Sequence, residues 1–248
     1  MKKTLLLLLA FLFAGSLTAC ERTLPDYTAD EAFDLMNEAI SRWLSAESFT
    51  LDYASTYVAG SVETTESMTV RLKHGGADDL IAYVATTIEE PDRWQNSETQ
   101  YEDGRVYVAR NENGTVTRTW STTPRAEFES LYRSFLKDEI NEADTRADSF
   151  VVDADQCTVQ FEFDATMIES TFHVPADIDS VRFATVAVTF THDADLLALE
   201  VSYGTTADDV DGTVSYTVAF DKIDRYLVIA RLSASEKAAY TESADAAE

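Results

Sequence analysis

The residues best suited to metal or nucleophilic chemistry are the three histidines, His74, His173 and His192. They lie in unrelated sequence contexts, and the chain has no His-Glu-x-x-His pair, no Gly-x-Ser-x-Gly turn and no glycine-rich phosphate loop. Carboxylates that could act as general acid and base are spread through a chain with 45 acidic residues, so no pair stands out. The sequence therefore predicts no catalytic residue and no cofactor, and we expect a protein that is not an enzyme.

One acidic segment has the residue types of a calcium site. The segment Asp208 to Asp211 holds three aspartates directly before Gly212, and clustered carboxylates beside a turn glycine are hard oxygen ligands. The full calcium-loop pattern fails, because its first position would be Ala207 and its twelfth Val218. We therefore expect a solvated hairpin loop in which Asp211-Gly212 makes the turn and no metal is bound, with calcium binding as the alternative.

The chain begins with a charged and then apolar segment that ends at a cysteine. Two lysines precede the apolar run Leu5 to Ala14, which is the layout of a secretory signal, and a spanning helix would need about 20 apolar residues. The four residues Leu17-Thr18-Ala19-Cys20 resemble the lipobox of bacterial lipoprotein precursors. That resemblance implies a signal peptide over residues 1–19, a diacylated Cys20 as the mature N-terminus, and an extracytoplasmic protein anchored to the cell membrane. A plain secretory signal that happens to end in cysteine is the alternative.

The residues after this cysteine form a short connection to the rest of the chain. We expect a lipidated tether over residues 20–28, in which Glu21 to Tyr27 span at most about 25 Å when extended. In a diderm host, Glu21 after the cysteine is compatible with sorting to the outer membrane. Acylation of Cys20 leaves Cys157 alone, so no internal disulfide forms, and Cys157 is expected to be a buried strand residue.

The charge balance excludes one class of partner. The chain has 19 basic and 45 acidic residues, a net charge of −26. A protein that binds nucleic acid needs a basic patch to displace counterions, and no cation cluster is denser than Arg71 and Lys73. Nucleic acid is therefore not an expected partner. The acidic surface also repels anionic headgroups, so attachment to the membrane depends on the lipid of Cys20.

Two segments have apolar residues at helical spacing. Thr28 and Glu31 form a capping box, which predicts an amphipathic helix over about residues 29–46. Thr123-Pro124 starts a second helix, with proline at its first position, that frays after Glu139. The apolar stripes of the two helices include Phe33, Met36, Ile40 and Trp43, and then Phe128, Leu131 and Phe135.

Nearly all of the remaining chain alternates apolar and polar residues, which places one face of each strand in a core and the other in water. Asp103-Gly104 and Asn113-Gly114 predict tight hairpin turns. About ten such strands need a cover for their apolar face, and only the two helices are long enough. The prediction is α+β: a large curved antiparallel sheet, or half-barrel, covered on its concave face by two amphipathic helices. It forms a single domain over residues 29–232, before an acidic disordered tail over 233–248.

This order of elements resembles the LolA/LppX-like group of bacterial lipoproteins and lipoprotein carriers. The resemblance depends on the lipobox, the first helix, the strand that starts at Ser48-Phe49-Thr50-Leu51, and the meander from Tyr101 to Trp120. Proteins of that group form a half-barrel closed by helices over an apolar cavity, and they carry lipids or acylated proteins. The resemblance implies that such a cavity is lined by Phe33, Met36, Ile40, Trp43, Phe128, Leu131 and Phe135. The alternative is that these seven residues are ordinary core.

Two functions follow from these observations. The first is a membrane-anchored extracytoplasmic lipoprotein that binds or carries an apolar ligand, a lipid or an acyl chain, in the helix-covered half-barrel. The second is a non-enzymatic structural or interaction lipoprotein with a filled core and an acidic surface that contacts an envelope partner. An apolar cavity on the order of a few hundred Å³ favours the first, and a side-chain-filled interior favours the second. The sequence identifies neither the ligand nor the protein partner.

Overall fold

The structure is a computed structural model that describes residues 26–76, 79–174, 180–207 and 210–243. The predicted signal peptide, Cys20, and the loop residues Asp208 and Asp209 lie outside the described residues. None of the helices in the described part of the chain is both long and apolar enough to span a bilayer.

The described chain contains strands throughout, with one long helix near its beginning. In chain order the elements are α1 (Ala29–Ser45), β1 (Ser48–Ala59), β2 (Val62–Gly76), β3 (Asp79–Glu90), β4 (Arg93–Glu102), β5 (Arg105–Glu112), β6 (Thr115–Thr122), α2 (Arg125–Arg133), β7 (Thr145–Val152), β8 (Gln156–Phe163), α3 (Ile168–Thr171), β9 (Ser180–Thr191), β10 (Leu196–Ala207), β11 (Val210–Asp221), α4 (Ala234–Lys237) and β12 (Thr241–Glu242).

The strands of the described residues form one twelve-stranded sheet in the order β12-β6-β5-β4-β3-β2-β1-β11-β10-β9-β8-β7. Neighbouring strands are antiparallel, except that β12 pairs with β6 in parallel. In the centre of the sheet β1 pairs with β11, so Thr50 lies opposite Asp221. The predicted fold class, α+β with a large open antiparallel sheet, is confirmed.

The two predicted hairpin turns are present where β4, β5 and β6 follow one another. Asp103 and Gly104 have φ of 54° and 73°, and Asn113 and Gly114 have φ of 47° and 89°. Positive φ at both central residues is the geometry of the tightest hairpin turns, which match the twist of the flanking strands. These two dipeptides therefore fix the register of the meander.

Helix α1 covers one face of the sheet, called the inner face below. Its capping box is formed: the Thr28 N–H donates to Glu31 Oε2 over 2.8 Å, and the Glu31 N–H donates to Thr28 Oγ1 over 3.2 Å. The helix contacts strands β7 to β10. Its apolar stripe is buried on them, while the opposite faces of the strands carry polar residues, so the core lies between α1 and the inner face.

Helix α2 is shorter than predicted. It ends at Arg133 rather than near Glu139, and Pro124 is its N-cap rather than its first residue. Leu136 forms a β-bridge with Phe172, which draws the chain out of the helix. The same chain segment closes the interior beside α1. The cover therefore consists of α1, one short helix, and non-helical chain, and not of two long helices.

The predicted tail over 233–248 is wrong for residues 233–243. Residues 222–243, called the C-terminal segment below, lie on the outer face of β2–β6, and the final two-residue strand pairs with β6. The segment is held on the sheet by Glu102, whose side chain is 0 % exposed. Lys237 Nζ lies 3.3 Å from Glu102 Oε1, and the Leu232 N–H donates to the same oxygen over 3.1 Å. A buried carboxylate needs such partners, and they hold the segment on the sheet.

The prediction that Asp211-Gly212 makes a turn is also wrong. Both residues lie within β11, where Gly212 is opposite Ala59 on one side and Thr205 on the other. A Cβ at Gly212 would come within 2.8 Å of the Val58 carbonyl oxygen. The glycine therefore serves a close approach of backbone, and the connection between β10 and β11 falls at residues 208–209, outside the described residues.

Candidate functional site

The structure places six of the seven predicted cavity residues in the interior. Met36, Ile40 and Trp43 are 0 % exposed, and the buried set also includes Phe33, Phe128 and Phe135. Leu131 is the exception, because its side chain is 59 % exposed. Helix α2 buries only Phe128 and ends before its stripe continues, so Leu131 faces water and does not line the interior.

The space beneath the end of α1 is filled with aromatic side chains. The Trp43 ring lies with its centroid 4.5 Å from that of Phe49 and 4.7 Å from that of Phe220, in edge-to-face arrangements. Nearer the start of the helix, Phe33 lies 6.3 Å from Phe161. Rings at these separations are in direct contact. This part of the interior is packed as ordinary core.

Arg133, the last residue of α2, joins the two helices of the cover. Its Nη1 donates to the Trp43 carbonyl oxygen over 3.2 Å, and its Nη2 donates to the Ala46 carbonyl oxygen. These carbonyls lie at the end of the helix, where the donors four residues further on are missing, and the Trp43 carbonyl also accepts from the Ala46 N–H over 3.1 Å. The Arg133 Nε also donates to Glu129 Oε1 over 2.9 Å, which fixes the guanidinium. One side chain thus caps α1 and holds α2 beside it.

Three tyrosines meet on the inner face next to this core. Tyr53, Tyr203 and Tyr216 come from β1, β10 and β11, and the ring centroids of Tyr53 and Tyr216 are 5.7 Å apart. Tyr203 is 0 % exposed and Tyr216 is 2 % exposed. Among the described residues, the Tyr203 hydroxyl has no hydrogen-bond partner, and the Tyr216 hydroxyl has only a weak contact with the His173 backbone. Buried polar groups in proteins are nearly always hydrogen-bonded, so this pair of poorly satisfied hydroxyls is unusual.

The group formed by Tyr53, Tyr203 and Tyr216, called the tyrosine cluster below, is uncharged at neutral pH. Burial raises the pKa of Tyr53 to about 12 and also raises the pKa of Tyr203 and Tyr216. At Tyr216 a contact with the His173 backbone lowers the pKa, but by less than burial raises it. Burial, and then the charge of Lys137, lowers the pKa of the His173 side chain. The phenols therefore keep their protons and the imidazole stays neutral, so the cluster offers hydrogen bonds without charge.

Two rings of the non-helical cover lie over the cluster. The centroid of Phe135 is 4.6 Å from that of Tyr53 and 5.4 Å from that of His173. The centroid of His173 is in turn 6.3 Å from Tyr53 and 6.5 Å from Tyr216. The cluster is therefore closed by side chains from two non-helical chain segments. The segment that carries Phe135 is tied to α1, because the Asn37 side chain bonds both the N–H and the carbonyl oxygen of Ile140 over 2.9 Å.

Beyond the cluster, the inner face continues as a half-buried strip. Met68 lies opposite Tyr53 across β1 and β2, and Tyr57 and Ile88 are on the same face and likewise half-buried. Glu66 lies among them, and burial raises the pKa of its carboxyl. The arrangement thus joins buried, uncharged hydroxyls to an apolar strip that leads outward, which suits a ligand with a polar group and an apolar chain.

The histidines do not converge. His74 Nε2 lies 3.2 Å from Glu129 Oε1, whereas His192 Nδ1 lies 3.2 Å from the Tyr27 hydroxyl and its Nε2 lies 3.0 Å from the Asp153 carbonyl oxygen. Within the described ranges, no group of three or more His, Cys, Asp or Glu side chains is placed to hold a metal ion. Cys157 is buried with a free thiol, whose pKa burial raises.

Sequence reasoning missed the tyrosine cluster. A signal was present, because Tyr53, Tyr203 and Tyr216 each occupy an apolar position of an alternating strand. A tyrosine at such a position must place its hydroxyl inside the core, where it needs a partner. The prediction assigned the cavity to the apolar stripes of the helices, whereas the cluster lies on the strands beneath them.

No model of a protein family matches the chain, and no curated protein matches it. Among solved structures, the chain is similar to lipoprotein LppX of Mycobacterium tuberculosis, at 11 % identity and TM-score 0.45, covering 82 % of this chain and 100 % of LppX. It is similar to LprF from Mycobacterium bovis, at 8 % identity and TM-score 0.46, with 83 % and 99 % covered. It is also similar to a DUF1329 family protein from Desulfovibrio piger, at 13 % identity and TM-score 0.24, covering 82 % of this chain and 94 % of that protein. Likeness at these scores establishes no common function.

Proposed function

We propose that the chain is a cell-envelope lipoprotein that holds an apolar ligand, a lipid or an acyl chain, against the inner face of its sheet. In this proposal residues 1–19 are removed as a signal peptide and Cys20 carries the lipid that anchors the extracytoplasmic domain. The lipobox supports the anchor. With a net charge of −26, electrostatic attraction to anionic headgroups does not substitute for this anchor.

The observation that supports a ligand is the unpaired hydroxyl of Tyr203, which lies in the cluster beside the weakly bonded hydroxyl of Tyr216. Leaving a buried hydroxyl without a partner costs about 1–3 kcal/mol. A hydrogen-bonding group of a ligand, such as an ester carbonyl, removes that cost at the cluster, while its apolar chain lies along Tyr57, Met68 and Ile88. The ligand class is therefore uncharged at its polar end and apolar along its length.

Entry of the ligand requires the cover over the cluster to move. Phe135 and His173 lie over the tyrosine rings, and α2 buries only Phe128. Elements that bury few apolar side chains are the first to open. In contrast, α1 buries six residues and stays in place. We infer that ligand exchange begins with displacement of α2, because the chain that follows it buries Phe135, Leu136 and Ile140.

Native mass spectrometry of the full chain, extracted from membranes in mild detergent, tests both parts of the proposal. The expected spectrum shows a lipid-modified Cys20 and a further lipid that is lost on denaturation. Two variants test the position of the lipid. The double variant Y203F/Y216F should retain less lipid than the original chain. The control Y101F removes a hydroxyl that donates to the Thr123 carbonyl oxygen over 3.2 Å, and it should retain the original amount. Recovery of the anchored chain alone, in every preparation, would exclude the carrier.

The filled space beneath α1 favours a second function, a structural or interaction lipoprotein with a packed core. In that case the acidic surface contacts an envelope partner, and the same spectra show an acylated Cys20 with no bound lipid. Equal lipid content in Y203F/Y216F and the original chain also favours this second function.

A further inference from the structure

The chain enters the domain at one end of the sheet. This end, called the proximal end below, is where β1 begins and where β2, β9 and β11 end, since Ser48 pairs with Lys73 and Thr50 pairs with Asp221. Tyr27 lies here, because its hydroxyl is 3.2 Å from His192 Nδ1 in the connection between β9 and β10. The tether from Cys20 therefore reaches the domain at the proximal end.

The two most exposed large apolar side chains of the described residues lie at the same end. Tyr226 is 84 % exposed and Val228 is 66 % exposed. Between them, Leu227 is 4 % exposed, and its carbonyl oxygen accepts a hydrogen bond from Lys73 Nζ over 3.1 Å. The fixed backbone thus holds Tyr226 and Val228 outward in water, where burial within the domain does not account for them.

Two cations, Lys73 and Arg225, flank this apolar pair at an end of the sheet that also carries Asp195, Asp221 and Asp224. Lys73 Nζ lies 5.4 Å from the centre of the Tyr226 ring. Arg225 directly precedes that tyrosine, and its Nη2 lies 3.5 Å from Asp195 Oδ2 in the same connection that holds His192. Lysine, arginine and tyrosine are the residues that membrane proteins place at the level of the headgroups.

We propose that the proximal end lies on the bilayer that holds the lipid of Cys20, with Tyr226 and Val228 inserted between the headgroups. This inference depends on the proposed anchor. The reach of the tether supports it, because Glu21 to Tyr27 span at most about 25 Å. The proposal also places the cover of the ligand site toward the membrane, since the carboxyl end of α1 and Arg133 lie at the proximal end.

The opposite end of the sheet also exposes apolar residues, and it is the competing surface. Val58 is 42 % exposed and Val62 is 47 % exposed at the hairpin of β1 and β2. That hairpin lies at the far end of the 12 residues of β1, about 40 Å from Ser48 at roughly 3.3 Å per residue. The tether cannot bring Val62 to the bilayer unless the domain turns over.

Site-specific fluorescence on the full acylated chain tests the orientation. Two variants, Y226C and V62C, are labelled with an environment-sensitive fluorophore, while Cys157 is buried and Cys20 is acylated. Both are reconstituted into vesicles of phosphatidylcholine and phosphatidylglycerol, and flotation and mass spectrometry confirm the anchor before any fluorescence is measured. We expect a blue shift and quenching by nitroxide-labelled lipids at position 226 and neither at position 62.

The outcomes separate the orientation from the anchor. If both variants float and neither label is quenched, the proximal surface proposal is wrong and the anchor stands. Quenching at position 62 instead of 226 means that the opposite end faces the bilayer. If Cys20 carries no lipid and neither variant floats, the proposed anchor fails and the orientation fails with it.

Discussion

Replacing Tyr203 by phenylalanine should leave the ligand-free protein at least as stable as the original chain. Tyr203 is 0 % exposed and its hydroxyl has no partner among the described residues, so Y203F keeps the ring and removes only the unpaired group. Because such a hydroxyl costs about 1–3 kcal/mol, we expect the free energy of unfolding to rise by about 1 kcal/mol. For a domain of this size that is a rise in Tm of about 2–4 °C.

Tyr101 provides the matched control for this substitution. It is 3 % exposed, and its hydroxyl donates to the Thr123 carbonyl oxygen over 3.2 Å. Y101F removes a hydrogen bond that is made, so it should lower the free energy of unfolding by about 0.5–1.5 kcal/mol. The two substitutions delete the same atom from the same residue type, and only the presence of a partner differs.

Urea unfolding followed by circular dichroism measures both variants, before and after removal of bound lipid. With ligand present the sign for Y203F should reverse, because the phenylalanine then loses a hydrogen bond to the ligand that the tyrosine makes. If Y203F destabilises the delipidated protein as much as Y101F does, Tyr203 has a partner inside the protein and the reasoning for a ligand at the cluster fails.

Three further predictions concern the cover, the C-terminal segment and pH. Arg133→Ala should lower the free energy of unfolding by about 1–3 kcal/mol, because the carbonyls at the end of α1 lose their cap. Arg133→Lys should recover little of this stability, because lysine lacks the planar guanidinium that reaches two carbonyls at once. Chemical denaturation measures both variants. Lys237→Ala should cost about 1–3 kcal/mol, because the buried carboxylate of Glu102 then keeps only Arg231, 3.8 Å away, as a cation. Adding Glu102→Gln should recover part of that loss in the same assay. Burial holds the pKa of His173 below 6.5, so the unfolded chain binds a proton at this residue at a higher pH than the folded protein does. The free energy of unfolding should therefore fall as the pH drops below about 6.5. His173→Gln should reduce this pH dependence in thermal melts.

The parts of the fold that local sequence determines were predictable. Helix α1 follows from Thr28, Glu31 and one apolar stripe within 17 residues. The hairpin turns follow from two dipeptides whose residues tolerate positive φ. Each of these features needs only neighbours in the chain, so a single sequence contains the whole cause.

The parts that failed depend on distant partners. Residues 233–248 are acidic and alanine-rich, which indicates a solvated tail, but Leu232 directly before them bonds to Glu102, 130 positions earlier. Helix α2 ends early because Leu136 bridges to Phe172. The tyrosine cluster likewise exists only through the register of β10, β11 and β1. Alternation gives the face of each strand, but it does not say which strands are neighbours.

The pairing of β1 with β11 has a consequence for biogenesis. The centre of the sheet joins Thr50 to Asp221, so nearly the entire polypeptide must emerge before its middle strand gains the second neighbour. Pairings this remote in sequence form slowly. In the proposed export, the early strands would wait, open on one side, while the amino terminus is already accessible to the enzymes that would cleave and acylate it. For the proposed lipoprotein, the topology therefore predicts that maturation of the amino terminus precedes completion of the sheet.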